Sequence, residues 1–509
     1  MTTLSLSSFV LFGALEWIAP LWLISVGVAA GFVVLAIAYG LLALAKPAVA
    51  RETMNIVRQG PLGPLTIVGL SMAGFALVAT VLVPYQTLLA SAGRLTKVGD
   101  LEKSVVIEPG KVNEAVPLGV RANEIRVFHL VSDRDITVMP NNDQGAPEET
   151  FLYKKVRARN PIEWREGAGN DKDNKNLVQR NPFYGMVDTL FISNLTTAPA
   201  KIDISVSTRV EYTEVLVIPQ VALAVLILYA LYFAFRLSMP KVAAIAEATT
   251  KEGTSQPIFY VALAAGAFFL VTFIFIPYNT FGEDVKMLKD SGLTLIMVLG
   301  ILVALWTSSV SVAEEIEGRT ALTVLSKPVS RRQFILGKFF GVIGPVFLLF
   351  VFLGLIFLFC VSYKVVYDAR ETANPDPTWR DCFLEMQGII PGLVLAFLET
   401  VTLAAVSVAI STRLPMLANL MICFSIYVLG HLVPQLVVSS VGKFPIVTFM
   451  GQLLATVLPV LEHFNIQAAV AAGAPVPPAY LLWALLYCVL YSTVAMLFAL
   501  ALFEDRDVA

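Results

Sequence analysis

Charge is scarce in this chain. Only 15% of its 509 residues are Asp, Glu, Lys or Arg, while 57% are hydrophobic. A soluble protein of this length does not carry that balance. Histidine is scarcer still, with three residues. The four cysteines, Cys360, Cys382, Cys423 and Cys488, form no CxxC pair and no Cys/His cluster. Their spacing argues against a zinc site or a disulfide framework, and a Cys360–Cys382 bridge is the one pairing worth weighing. No GxxxxGK[ST] occurs, so the chain has no phosphate-cradling loop of its own. HExxH and GxSxG are missing too, and no Asp lies inside an apolar run, which removes the equipment of an intramembrane protease. A net charge of −2 gives no ground for nucleic acid as a partner. The opening "MTTLSLSSFVLFGALEWIAP" has no Lys or Arg, unlike a secretory signal, so the first long span is expected to be retained.

Long apolar runs are abundant. Several approach or exceed the roughly 20 residues needed to cross a bilayer. Nine spans are expected, over 21–45, 65–89, 214–236, 258–278, 292–313, 339–362, 389–411, 417–437 and 479–503. The fourth would end at Pro277 and Tyr278. The apolar stretch 446–462 is short and holds Pro459, and is expected to be re-entrant or interfacial.

Orientation follows from the short loops. Lys46, Arg51 and Arg58, then Arg236, Lys241 and Lys251, then Arg319, Lys327, Arg331, Arg332 and Lys338, with Arg413 and Arg506, fall on one side. The other side has fewer: Lys286, Lys289, Lys364, Arg370, Arg380 and Lys443. The richer side is expected to be cytoplasmic, with the C-terminus inside and the N-terminus extracytoplasmic. Residues 90–213 then lie outside the membrane as an inserted domain. "KIDISVSTRV" alternates apolar and polar residues with the period of a half-buried strand. "DTLFISN" and the turn-like "LTTAPA" before it suggest a hairpin, "NEIRVFHLV" and "RDITVMP" two further strands, and "GAGNDKDNKNLVQRNP" a polar loop. Asn194-Leu195-Thr196 matches a glycosylation sequon, a pattern common by chance. The expected fold is an all-α polytopic membrane protein of about nine transmembrane helices, with an inserted extracytoplasmic β-sandwich-like domain. Its parts are two N-terminal spans (1–89), the β domain (90–213), a third span (214–240) and a six-span bundle (241–509).

The stretch "AEEIEGRTALTVLSKPVSRRQFILGK", from Ala313 to Lys338, joins the fifth and sixth spans. "EGRTALTVLS" reads as a short amphipathic helix with Leu322 and Leu325 on one face. Lys327-Pro328 ends it. Ser330 and Gln333 then form a capping-box pattern at the start of the next helix. A helix, a break and a second helix make either a loop that anchors two spans or a stiff lever for a partner.

"EEIEGRTALTVLSKPVSRRQFILGKF" resembles the corresponding stretch of type-2 ABC transporter permeases. There an acidic pair is followed by E-x-x-T, by L-x-K-P-(V/I)-S-R and by a helix reaching G-K. "GEDVKMLKDSGLTLIMVLG" and "TVLPVLEHFNIQAAVAAG" resemble two further segments of that family. The resemblance covers about residues 241–509 and looks most like the branch named for multicopper-enzyme maturation. The first three spans and the β domain are departures from it. The resemblance implies a coupling helix that docks on a separate ATPase, which would hold the ATP and Mg. The residues carried over are Glu315, Glu317, Arg319, Thr320, Leu325, Lys327, Pro328, Ser330 and Arg331. It also implies a permease subunit of a bacterial ABC exporter in the inner (plasma) membrane, a homodimer or paired with a second permease, with no catalysis and no cofactor of its own. The alternative is a membrane-anchored receptor or a mechanotransmitting complex, whose external β domain binds a ligand or partner.

Inside the bundle, Glu399 stands mid-span in "GLVLAFLETVTLAAVSV", where a carboxyl is costly unless it pairs or lines a path. It is either a site in a substrate path or proton relay, or a neutral Glu bonded to a neighbouring helix. His431 is its candidate partner, although span eight places it nearer the outer half. His463, beside Glu462, is expected at the outer surface. His129 sits in a strand with no Cys or His nearby, so a metal role is not expected.

Overall fold

The computed structural model describes residues 16–140, 154–165, 186–276, 283–314, 329–372, 375–440 and 445–504. It divides into two units, Pro84–Leu216 and a second made of Met1–Val83 with Val217–Ala509. In chain order the helices are α1 (Ile18–Ala45), α2 (Pro47–Gln59), α3 (Leu62–Ala79), α4 (Tyr85–Ala92), α5 (Val217–Ser238), α6 (Pro240–Ser255), α7 (Pro257–Phe275) and α8 (Asp284–Ser308). They continue with α9 (Arg331–Glu371), α10 (Trp379–Gln387), α11 (Ile390–Ser411), α12 (Met416–Ser440), α13 (Pro445–Val457), α14 (Gln467–Ala471) and α15 (Pro478–Glu504).

Eight stretches among the described residues are long and apolar enough to cross a membrane: Ile18–Ala45, Leu62–Ala79, Thr213–Ser238, Pro257–Phe275, Asp284–Ala313, Arg331–Glu371, Trp379–Ser411 and Pro478–Phe503. The ninth expected span, 417–437, lies within α12, whose qualifying apolar part is the shorter Met416–Leu432. Two boundaries differ from expectation. The span drawn over 65–89 stops at Ala79, and a separate short helix, α4, begins after Pro84. The span drawn over 339–362 is the middle of α9, whose 41 residues extend about 60 Å, twice a hydrocarbon core of ~30 Å. Pro277 and Tyr278 lie outside the described residues, and α7 ends just before them. α13 has 13 residues, about 20 Å, too short to cross.

Two segments counted as basic loops are helices. α2 covers the first. α6 covers most of the second and packs along the N-terminal half of α9, where Gly337, Gly341 and Gly344 leave no side chain in the way. A Cβ at Gly337 would meet Ile245 Cβ at 2.6 Å, and one at Gly341 would collide with Thr249. Pro345 lacks an N–H, so it frees the carbonyl of Gly341 four residues earlier. Thr250 Oγ1 of α6 donates to that carbonyl at 3.1 Å. Thr250→Val should therefore cost about 1–2 kcal/mol by stranding a buried carbonyl, read as a lower thermal midpoint of the purified chain. Elsewhere in this unit, Trp22 Nε1 donates to Ala76 O (3.0 Å) and Thr80 Oγ1 (3.1 Å), fastening α1 to α3.

The other unit holds two four-stranded antiparallel sheets. Their strands are β1 (Asp100–Ile107), β2 (Glu114–Arg121), β3 (Ile125–Ser132), β4 (Ile136–Pro140), β5 (Lys154–Val156), β6 (Ile162–Arg165), β7 (Met186–Ser193) and β8 (Ala200–Thr208). One sheet runs β1-β8-β3-β6 and the other β2-β7-β4-β5. Both contribute to a single apolar core that includes Phe128, Leu130, Val138, Trp164, Leu190, Ile192, Ile204 and Val206. In β8 the alternation holds, with Ile202, Ile204 and Val206 inward and Asp203 outward.

The expected hairpin does not form. β7 pairs with β2 and β4, and β8 with β1 and β3, so the chain crosses from one sheet to the other between them. Asn194 makes the corner. Its Nδ2 donates to Ile107 O (2.9 Å) and Ala198 O (3.0 Å), and its Oδ1 accepts from Thr196 Oγ1 (2.6 Å). That side chain is fully buried, so the sequon is a structural corner. The polar loop 167–182 lies outside the described residues.

Glu124 is also buried, at 3% exposure, and takes both prongs of Arg94, one with Nη2 to Oε2 at 2.6 Å. Arg94→Ala should destabilise by about 3 kcal/mol, because it strands a buried carboxylate. Replacing Arg94 by Met and Glu124 by Leu together should recover most of that loss in thermal unfolding.

Candidate functional site

At the start of α9 the expected capping box forms. Ser330 Oγ accepts from Gln333 N (3.3 Å), and Ser330 N donates to Gln333 Oε1 (3.1 Å). Arg331 follows, with its guanidinium carbon 5.8 Å from the ring centre of Phe503 on α15. Glu315, Glu317, Arg319, Thr320, Leu325, Lys327 and Pro328, with the amphipathic segment they belong to, lie outside the described residues.

On the other side of that stretch, α8 changes winding at Ser308, and Ser309–Glu314 form a π-helical turn. Such turns frequently mark functional positions. This one sits in a buried polar hub. Ser308 Oγ and Ser309 Oγ each donate to Leu305 O, at 3.0 and 2.8 Å. Those hydroxyls are then acceptors for their neighbours. Ser407 Oγ of α11 donates to Ser308 Oγ. Asn419 Nδ2 of α12 lies 2.8 Å from Ser309 Oγ, 2.8 Å from Ser407 Oγ and 2.9 Å from Ser411 Oγ. Its Oδ1 accepts from Cys423 Sγ at 3.3 Å. One amide thus fastens the turn to α11 and α12. The hub was not read from sequence, since scattered Ser and Asn in apolar runs carry no periodic signal.

Eight residues before Ser407, α11 carries Glu399, which is 1% exposed. Its Oε1 has no hydrogen bond and lies 3.4 Å from His431 Nε2 on α12. His431 Nδ1 is 3.1 Å from the carbonyl of Tyr427. A carbonyl only accepts, so Nδ1 holds a proton. Nε2 then faces the Glu399 carboxyl.

Glu462 lies near α12, since its neighbour Leu461 packs on Gly430, the residue before His431. Its Oε2 is buried without a hydrogen-bond partner. What carries it there is the chain after α13. Gly430 on α12 lets that chain approach, since a Cβ would stand 2.8 Å from Pro459 O and 2.9 Å from Leu461 Cγ. Val460 N donates to Tyr487 OH (2.8 Å) and fixes the segment to α15. The sequence reading named Glu399 and His431 as candidate partners, and their side chains lie 3.4 Å apart. It missed Glu462, whose only signal was its place after an apolar segment too short to cross.

His463 is exposed, with its carbonyl accepting from Tyr480 OH at 2.7 Å. The four cysteines are free and buried. His129 takes part in no metal-binding group among the described residues. Lys364 and Lys289, counted as loop residues, are both buried in ion pairs. Lys364 Nζ donates to Ile274 O (3.0 Å) and stands 3.6 Å from Asp284 Oδ2, and Lys289 pairs with Glu385. Asp284, Asp368 and Glu371 have carboxylate oxygens within 4.8 Å of one another. The Lys364 ammonium already supplies a positive charge to that group.

A family model described as ABC-2 family transporter protein matches residues 215–508. The match begins before 241, so it takes in α5 as well. A comparison with curated proteins finds no match.

Proposed function

As a member of the ABC-2 family of transporter proteins, the chain is a transmembrane permease subunit, and we propose that it serves a bacterial exporter driven by a separate ATPase. The family match over more than half of the chain carries this reading. The sequence holds no phosphate-binding loop, which supports an ATPase partner that binds the ATP and Mg. The multicopper-enzyme-maturation branch is a narrower likeness within this family and names no substrate.

In this reading the ATPase grips the cytoplasmic stretch 313–338 through Glu315, Glu317, Arg319, Thr320, Leu325, Lys327, Pro328, Ser330 and Arg331. Two features support a lever there: the capped, rigid start of α9 and the hydrogen-bonded hub at the end of α8. The permease works in the inner membrane as a homodimer or with a second permease. The C-terminus is cytoplasmic and the N-terminus extracytoplasmic. The β unit stands outside, where it meets an external partner or shapes the exit for cargo. Glu399 and His431 form an ionisable point on the path through the bundle.

Co-purification with the ATPase tests the docking. Glu317→Lys combined with Arg319→Glu should lower ATPase recovery and stimulation about thirtyfold, since two contacts of about 1 kcal/mol each are lost. Unchanged recovery and stimulation would show that the partner docks elsewhere.

A further inference from the structure

The geometry points to a binding groove for an anionic phospholipid between the N-terminal half of α9 and the C-terminal half of α15. A cavity of about 610 Å³ lies there. Its walls are apolar and aromatic, with Phe339, Phe340, Val489, Met496 and Leu497 among them, and Arg332 closes one end. Phe340, Val489 and Leu497 are exposed on the surface of the helical unit, so the groove opens sideways. In a membrane that surface faces hydrocarbon chains.

The height of the groove selects its occupant. Its α9 wall runs from residue 332 to 343 and its α15 wall from 488 to 500. Each spans about 16–18 Å at the α-helical rise. That is close to half of a ~30 Å hydrocarbon core, one leaflet. The two walls run antiparallel, with Arg331 and Phe334 meeting Phe503 at the same end. Phe503 closes the span expected over 479–503, so Arg332 at the same end lies near the depth of a leaflet's phosphates, and the groove runs about one leaflet inward from it. A cation at headgroup depth above an apolar channel one acyl chain long fits an anionic phospholipid.

A second cavity, about 420 Å³, shares Phe340 and Ile343 with the first and lies across the ridge they form. A two-chain lipid can place one chain on each side of that ridge. This inference needs only a membrane-embedded chain and stands apart from the transport reading.

Native mass spectrometry of the purified full-length chain, with added phosphatidylglycerol or phosphatidylcholine, tests it. The wild type should retain phosphatidylglycerol about tenfold over phosphatidylcholine, and Arg332→Glu should abolish that preference. Leu497→Trp, at an exposed position that tolerates exchange, should fill the groove and reduce retention of both lipids. Equal retention of the two lipids by the wild type, or a preference that survives Arg332→Glu, overturns the headgroup assignment. A Leu497→Cys variant that forms disulfide-linked dimers in native membranes would show that a second copy of the chain occupies the groove, and would overturn the proposal altogether.

Discussion

Asn419→Leu should lower the stability of the purified permease by about 3 kcal/mol and reduce its stimulation of the ATPase at least tenfold. The wild-type amide stands within 2.9 Å of three hydroxyl oxygens on two other segments, and leucine offers nothing to any of them. Each buried acceptor left without its donor costs about 1–3 kcal/mol, and the surviving hydroxyls can recover only part of that by turning toward one another. Differential scanning calorimetry reads the first effect and ATP turnover in the reconstituted complex the second. The two readings separate two roles. If Asn419 merely supports the fold, protein that remains folded below the new midpoint will stimulate the ATPase as well as wild type. If the π-helical turn passes motion from the cytoplasmic stretch to α11 and α12, stimulation falls even in fully folded protein. Ser407→Ala removes one link of the same hub and should produce the smaller version of both effects.

Glu399→Gln should lower ATP-coupled turnover about tenfold while leaving the yield of assembled complex unchanged. The amide keeps the size and hydrogen-bonding reach of the side chain but cannot exchange a proton with His431. A factor of ten corresponds to about 1.4 kcal/mol, modest for an ionisable group buried to this degree within a span. Glu399→Asp, which keeps the carboxyl on a shorter stem, should restore part of the activity, and His431→Gln should resemble Glu399→Gln. Normal turnover in Glu399→Gln would make the carboxyl a structural bond between α11 and α12, and the ionisable point would have to be sought elsewhere.

What the sequence disclosed and what it concealed follow from the range of the forces involved. Apolar runs mark spans because hydrocarbon solvates each residue alone, so eight of the nine expected spans are helices of sufficient length and apolarity. Alternation in "KIDISVSTRV" marked β8 because a half-buried strand has period two. The Ser330–Gln333 capping box is local and was visible as a four-residue pattern. Pairing over long distances was not. The corner at Asn194 looked like a hairpin turn, because nothing within "LTTAPA" tells that the next strand joins another sheet. α6 was taken for a basic loop because the segment was read for its Lys and Arg alone, and the glycine stripe of α9 that receives it lies far along the chain, Thr250 meeting Gly341 across 91 positions. Lys289 and Lys364 were counted as loop charges because their acidic partners lie 96 and 80 positions away along the chain. Asn419 meets Ser309 across 110 positions, and no window along the sequence brings the two together.

Labelling of a single introduced cysteine, Ser330→Cys, tests the central claim most directly. The position is exposed at the start of α9, whereas the four native cysteines are buried. A membrane-impermeant maleimide should leave Ser330→Cys unmodified in intact cells and modify it in inverted membrane vesicles, and added ATPase subunit should protect it there. Modification in intact cells would place this end of the lever on the outer face, where no ATP-driven partner could grip it.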